Sequence, residues 1–86
     1  MELEFIFEDN SIYALGKNNK ILAEITFHDT GDNTVDIDRT FVDDSLRGQG
    51  IAGNLMDMAV DTIKRQGKKI TASCSYAQKW LEKNKV

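Results

Sequence analysis

A basic residue followed by two glycines and a helix-forming run can hold a phosphate, and the segment Arg47-Gly48-Gln49-Gly50-Ile51-Ala52 has that composition. The first turn of a helix offers backbone N–H groups with no intrahelical partner, together with the positive end of the helix dipole. Glycine lets a ligand come close against the backbone, so the segment reads as a pyrophosphate cradle. Cys74 is a second candidate. A cysteine beside a helix start can have a lowered pKa and act as a nucleophile, yet free cysteines are also among the most buried residues and serve as pocket lining or core. Tyr76 carries a phenol able to protonate a leaving group, or else is an aromatic packed at a helix start. His28, the only histidine, ends a strand at a turn and reads either as a surface residue or as a base; Asp36 and Asp38 would act as bases only through water.

These residues need elements to position them, and the hydrophobic pattern supplies a sequence of elements. Leu3 to Phe7, Ile12 to Leu15, Ile21 to Phe27 and Val35 to Val42 read as four strands, separated by the polar turns Glu8–Asn10, Gly16–Asn19 and Asp29–Asn33. In the third strand Ile21, Ala23, Ile25 and Phe27 share a face; in the fourth, Val35, Ile37, Arg39 and Phe41 alternate with Asp36, Asp38, Thr40 and Val42. The period then changes. Ala52, Leu55, Met56, Ala59, Val60 and Ile63 follow helical spacing, with Asp61 and Arg65 as an i,i+4 pair and Gly67 as the terminating residue. Ile70 to Cys74 is a short fifth strand, and Ser75 caps a last helix reaching about Lys83 that buries Trp80 and Leu81. Phe5, Phe7, Tyr13, Phe27, Phe41, Met56 and Met58 read as core.

The order is four strands in hairpins and then strand, helix, strand. Strands four and five, joined by a helix, must run parallel through a right-handed crossover. The fold class is therefore α+β: a mixed five-stranded sheet, a main helix over one face and a short C-terminal helix. A ligand crevice belongs outside the carboxyl ends of the parallel strands, beside the glycine loop.

At 86 residues, with 41% hydrophobic and 29% charged side chains, the chain has the make-up of one soluble globular domain spanning residues 1–86. No apolar run approaches the roughly 18 residues that a membrane helix needs. Met1–Glu4 lacks the basic start of a signal peptide, and a single cysteine forms no internal disulfide, so the expected compartment is the cytoplasm. Charge is uneven: residues 1–46 hold 11 acidic and 3 basic side chains (−8), and residues 47–86 hold 3 acidic and 8 basic (+5), which sum to the net −3. A basic half suits a phosphate-bearing ligand and an acidic half a cationic one, unless both are ordinary solvated surface.

Three readings of the glycine segment compete on sequence grounds. Gly48 to Gly53 fits the Gly-x-Gly-x-x-Gly dinucleotide fingerprint, but the next strand ends without the acidic residue that would hold a ribose, and four hairpin strands precede the loop. A chain of this length has no room for a doubly wound sheet. The Gly-Lys-Ser/Thr phosphate loop is absent. A tight loop–helix junction with no ligand stays open.

The spacing Arg-x-x-Gly-x-Ala, from Arg47 to Ala52, resembles the coenzyme-A loop of the GNAT acetyltransferase superfamily. Nearly the whole chain is similar to a short, single-domain GNAT-like family that shows His-Thr-x-Val before the loop, Arg-Gly-x-Gly-Ile-Ala within it and Cys-x-Tyr after the fifth strand. The matches are Thr40 and Val42, Arg47 to Ala52, then Cys74 and Tyr76; the family's histidine falls at Arg39, so the resemblance assigns no base.

The resemblance implies acetyl-CoA as cofactor, held by strand contacts from Phe41 and Val42 and by phosphate contacts from Arg47, Gly48, Gln49, Gly50, Ile51 and Ala52. It implies a β-bulge in the fourth strand, and a V-shaped slot for the thioester between strands four and five. The Val42 N–H would meet the oxyanion, Tyr76 would protonate the thiolate, and Cys74 would accept the acetyl group or line the pocket. The implied function is an N-acetyltransferase acting on a small amine or a lysine, with no metal, nucleic acid or membrane partner, as a monomer or a homodimer. Common GNAT enzymes are longer, and the N-terminal helices and last strands that build their acceptor site have no counterpart here. The rival is therefore a non-catalytic acyl-CoA binder or sensor.

Overall fold

The computed structural model describes residues 3–84; Met1 and Glu2, part of the segment read above for a leader, lie outside the described residues, as do Lys85 and Val86. The elements follow in the order β1 (Phe5–Glu8), β2 (Ser11–Leu15), β3 (Ile21–Gly31), β4 (Thr34–Val42), α1 (Ile51–Arg65), β5 (Lys69–Ala72) and α2 (Ser75–Asn84). The strands form one sheet in sequence order, antiparallel from β1 to β4 and parallel between β4 and β5. This is the expected α+β architecture. Among the described residues, no helix is long and apolar enough to cross a membrane.

One face of the sheet carries the core. Ile12 and Ala14 of β2, Ala23, Ile25 and Phe27 of β3, and Val35 and Ile37 of β4 meet Leu55, Met56, Ala59, Val60 and Ile63 of α1, and Ala77 of α2 joins them. The α1 residues recur at helical spacing, so a single stripe is buried and Asp57, Asp61, Lys64 and Arg65 stay outside it. Truncating a fully enclosed side chain such as Leu55 to Ala removes about 2–5 kcal/mol, because the cavity does not close.

The core differs from the sequence expectation at its margins. Phe7 is 55% exposed because α1 does not extend over β1, the edge strand. Tyr13 and Phe41 are half-buried on the face away from α1, while Phe5, Met58, Trp80 and Leu81 pack around the core without entering it. Ile21 faces away from Ala23, Ile25 and Phe27. An extra residue, Leu22, lies between the pairs Ala14–Ala23 and Leu15–Ile21, and a one-residue bulge turns the next side chain to the other face.

The β3–β4 hairpin is tighter than expected. β3 continues past Phe27 and His28 to Gly31, and only Asp32 and Asn33 form the turn, both at positive φ (52° and 60°). A two-residue loop with two positive φ values matches the right-handed twist of its strands, and Asp and Asn tolerate it. Asn33 also fixes the far end of α1: its side chain donates to the Gly67 carbonyl at 2.8 Å, and its own carbonyl accepts the Lys69 N–H at 2.9 Å. There α1 stops as expected at Gly67. The Gly67 N–H bonds to the Lys64 carbonyl and the Lys68 N–H to the Ile63 carbonyl, which is the paired Schellman closure. The Asp61–Arg65 pair forms at 2.9 Å.

Candidate functional site

The site is built on a second irregularity, in β4. Phe27 pairs with Ile37 and Thr26 with Arg39, so Asp38 is an extra residue and β4 is bulged there. Before the bulge, Val35 and Ile37 face the core. After it, Thr40 and Val42 lie opposite Ile25 and Ala23 and take the α1 side, while Arg39 and Phe41 turn to the other face, where the guanidinium lies 5.8 Å from the Phe41 ring centre. Simple alternation through the strand put Arg39 and Phe41 with Val35 and Ile37; the bulge corrects that reading. The same point ends the pairing with β5. Ile37–Ala72 is the last β4–β5 pair, and both the Ser73 and Cys74 N–H groups converge on the Ile37 carbonyl. Beyond it the two strands part, and residues 39–42 keep β3 as a ladder neighbour but not β5.

The freed edge of β4 leads into the glycine segment. Asp43 anchors the turn: its N–H bonds to the Leu22 carbonyl at 2.7 Å, and its carboxylate accepts from the Ser45 N–H and hydroxyl at 3.1 and 2.6 Å. The Ser45 hydroxyl and N–H outweigh a small burial effect and, with Lys20, hold the Asp43 pKa below its ordinary value. Leu46 is buried, and Arg47 pairs with the exposed carboxylate of Asp44 at 2.8 Å. Gly48 and Gly50 both have positive φ (83° and 73°), a conformation that makes glycine the natural residue at each. Gly50 precedes the first turn of α1, no side chain caps that turn, and the turn contains no acidic residue. The first intrahelical N–H bond is that of Asn54 to the Gly50 carbonyl, so the N–H groups of Ile51, Ala52 and Gly53 point out of the helix end without intrahelical partners.

These parts enclose a cleft of about 470 Å³, lined by Thr40, Phe41, Val42, Leu46, Arg47, Gly48, Gly50, Ile51, Ala52, Gly53 and Tyr76. Eight of the expected residues therefore share one cleft: Phe41, Val42, Arg47, Gly48, Gly50, Ile51, Ala52 and Tyr76. Gln49 is exposed outside the lining, and Cys74 stands behind it, bonded to Thr40. Leu46 and Gly53 join the wall without having been singled out, and so does Thr40, read before only as a motif match with no site role. Thr40 is legible once the bulge is known, and Gly53 because a residue without a side chain in a helix's first turn leaves that turn open; a Cβ there would meet nothing within 4 Å. The basic half of the sequence does not gather here. Arg47 is the cation of the lining, whereas Lys64, Lys68 and Lys69 cluster at the other end of α1, where they suit the negative end of the dipole.

Cys74 occupies the start of α2. Its carbonyl accepts the Gln78 N–H at 2.9 Å, which makes Cys74 the capping residue in place of Ser75, the first residue of the helix. Its sulfur lies 3.4 Å from the Thr40 hydroxyl. Partial burial pushes the thiol pKa up, but the Thr40 hydroxyl and the N–H groups of Ala77, Tyr76 and Thr40 outweigh it and hold the thiol below its ordinary range. Tyr76, in the same first turn, is 39% exposed and faces the cleft.

The opposite face of the sheet has no buried residue, and where β3, β4 and β5 lie side by side it is polar. Asp36 accepts from the Thr71 and Ser73 hydroxyls at 2.9 and 2.6 Å. Partial burial raises its pKa, while the Ser73 and Thr71 hydroxyls, the Ser73 N–H and the charge of His28 lower it further, for a net downward shift. His28 does not end its strand; it lies within β3, directly opposite Asp36, and reaches Asp38. Among the described residues no group of three or more His, Cys, Asp or Glu side chains is arranged to hold a metal.

Known proteins resemble this chain in sequence and in fold. The sequence model of the GCN5-related N-acetyl-transferase family matches residues 11–86. The NATD1 protein of Xenopus tropicalis is 36% identical over 62 residues, a stretch that covers 72% of this chain and 57% of that protein, so the chain matches little more than half the length of this relative. A GCN5-like protein of Staphylococcus aureus, solved in solution by NMR, superposes with a TM-score of 0.80 at 39% identity, covering 95% of this chain and 80% of that one. The NatC complex, solved with a Gag peptide and CoA, shares the fold at a TM-score of 0.62 and 24% identity over 72% of this chain and 45% of its own.

Proposed function

The chain belongs to the GCN5-related N-acetyltransferase family, and from that premise we propose that residues 1–86 bind acetyl-CoA and transfer its acetyl group to an amine, either a small molecule or a lysine side chain. The observation that carries the proposal is the continuity of the cleft. The unpaired edge of β4 runs from the fork at Asp38 past Thr40 and Val42 directly to the uncapped start of α1. The N–H groups of Ile51, Ala52 and Gly53 would hold the cofactor's pyrophosphate, and Arg47 would exchange its exposed Asp44 partner for a phosphate oxygen. An exposed ion pair is worth little, so that exchange costs little. Phe41 and Val42 would hold the arm of the cofactor, which supplies the acetyl thioester.

Three tasks remain in the transfer. The Val42 N–H receives the oxyanion of the tetrahedral intermediate. Tyr76, lining the cleft from α2, protonates the departing thiolate. Cys74, its thiol held below its ordinary range, would take the acetyl group as a thioester before the amine does, or else support the pocket wall through Thr40. The carboxylates Glu24, Asp36 and Asp38 on the open face favour a cationic acceptor.

Titration calorimetry with acetyl-CoA, with desulfo-CoA and ADP as controls, tests the cofactor. Saturable binding that is lost in Gly53→Glu supports the reading; absence of binding up to millimolar ligand removes it. Release of free CoA thiol in the presence of amines separates a transferase from a non-catalytic binder. Mass spectrometry after incubation with acetyl-CoA tests the cysteine route, which an unmodified Cys74 under turnover would exclude.

A further inference from the structure

The face of the sheet away from α1 holds a side-chain set that the cofactor cleft does not use. The bulge sets two consecutive β4 residues, Asp38 and Arg39, against the single β3 residue Thr26. Asp38 is thereby gripped from β3 twice: the Thr26 hydroxyl donates to one carboxylate oxygen, and His28 Nδ1 lies 3.0 Å from the other. An ionised carboxylate only accepts, so this contact places the proton of the neutral imidazole on Nδ1 and leaves Nε2 with a free lone pair. The His28 side chain is 51% exposed, so a solute can reach that nitrogen.

Its location matters more than its composition. Asp38 is the first β4 residue past the last pair with β5, at the apex of the fork. Thr40 and Cys74 lie beyond the apex on the α1 side, with the cleft, and His28 and Asp38 on the other side. An acceptor arriving over the open face meets the imidazole first and the fork behind it.

We propose that His28 Nε2 takes the proton from the attacking amine, with Asp38 as the residue that positions it. The inference rests on the acetyltransferase reading. An ammonium gives one proton to Nε2; the freed nitrogen lone pair bonds to the thioester carbonyl carbon, and the C–S bond breaks. The nitrogen loses a second proton as the amide forms, the thiolate gains one, and His28 releases its own to solvent, one net proton per turnover. The charged groups around His28 are Asp36 opposite it, Asp38 and Arg39 on β4, Glu24 along β3, and Asp29, which Lys68 holds at 2.9 Å. β5 contributes the Thr71 and Ser73 hydroxyls, both bound to Asp36.

The test is the pH profile of kcat/KM with acetyl-CoA and two probe acceptors, spermidine and a lysine-containing peptide. His28→Gln is expected to lower kcat/KM by about 100-fold or more, to leave acetyl-CoA affinity unchanged and to abolish the fall of activity on the acid side. Imidazole added to His28→Ala restores part of the rate, which a merely structural histidine would not permit. Asp38→Asn gives a smaller loss and, in nitrogen-15 NMR, moves part of the neutral-ring proton of His28 from Nδ1 to Nε2. In nitrogen-15 NMR of the wild type, the neutral ring is expected to carry its proton on Nδ1, a readout that needs no acceptor. A His28→Gln rate within twofold of wild type with the same limb, or a neutral ring protonated at Nε2, overturns the inference alone. Cofactor binding with no turnover by the wild type removes the transferase reading and this inference with it.

Discussion

Two helix starts meet at the cleft, and they are finished in opposite ways. α1 begins at Gly50 with no side-chain cap, no acidic residue in its first turn and a side-chain-free Gly53 in that turn. α2 begins at Cys74, whose sulfur fills the position a serine or aspartate oxygen would take, within reach of the Tyr76 and Ala77 N–H groups. The physics of the two ends is the same: unpaired N–H donors and a positive dipole end. One end spends them on its own chain, lowering a thiol pKa, and the other leaves them for something external. A start whose donors are left free fits an anion that comes and goes, and a start capped by a thiol fits a nucleophile.

The contrast can be broken from either side. The largest expected effect is at the open start. Gly53→Glu fits without a clash, since a Cβ there meets nothing within 4 Å, but it sets a carboxylate beside the free N–H groups. Acetyl-CoA affinity should fall by about 100-fold or more from like-charge repulsion at short range, measured by calorimetry. Gly53→Ala serves as its control: it should raise stability by about 0.5–1 kcal/mol from helix propensity alone, read from denaturant midpoints, with binding retained.

At the capped start, Cys74→Ala should cost about 1 kcal/mol of stability by removing the cap, while Cys74→Ser, which keeps a capping atom, should lose less and still fail to form an acetyl-enzyme. Thr40→Val sharpens the same end by removing the hydroxyl that stabilises the thiolate. The midpoint of the pH dependence of iodoacetamide alkylation should then move to higher pH, with the fold unchanged.

The smallest effect concerns Asp43, which anchors the approach to α1. Its pKa is lower folded than unfolded, so its contribution is present above the ordinary carboxylate value of about 4 and lost as pH falls through the lower folded value. An acid titration of stability should show a wild-type decline in that window that is reduced in Asp43→Asn.

The helix periodicity, the glycine segment and the strand–helix–strand order were legible because each is local. The apolar stripe from Leu55 to Ile63, the stop at Gly67 and the parallel pairing of β4 with β5 follow from spacing and chain connectivity. Bulges are not local. Nothing in Ile37-Asp38-Arg39-Thr40 breaks the period-2 pattern; the resemblance implies a bulge in β4, but its position appears only when β4 is set against β3, so Arg39 and Phe41 were read on the wrong face. Leu22 hid the orientation of Ile21 in the same way. The cap of α2 went to Ser75 on propensity, whereas the bond between Cys74 and Gln78 decides it. The His28–Asp38 contact joins residues ten apart on neighbouring strands, and pairing register, which residue identity does not encode, brings them together.

The bulge at Asp38 also changes what a change of chain length would do. A strand has parity: residues an even number apart share a face. In β4 that parity is broken once, so Val35 and Ile37 serve the core while Thr40 and Val42, which differ from them by odd counts, serve the cleft on the same side. Removing Asp38 or Arg39 would set Ile37 and Thr40 an even count apart, so strict alternation would keep Thr40 and Val42 on the cleft side while the bulge itself disappeared. The facing of Thr40 and Val42 therefore survives the loss of one residue, and what a deletion of Asp38 takes away is the bulge and the carboxylate that Thr26 and His28 hold on the other face.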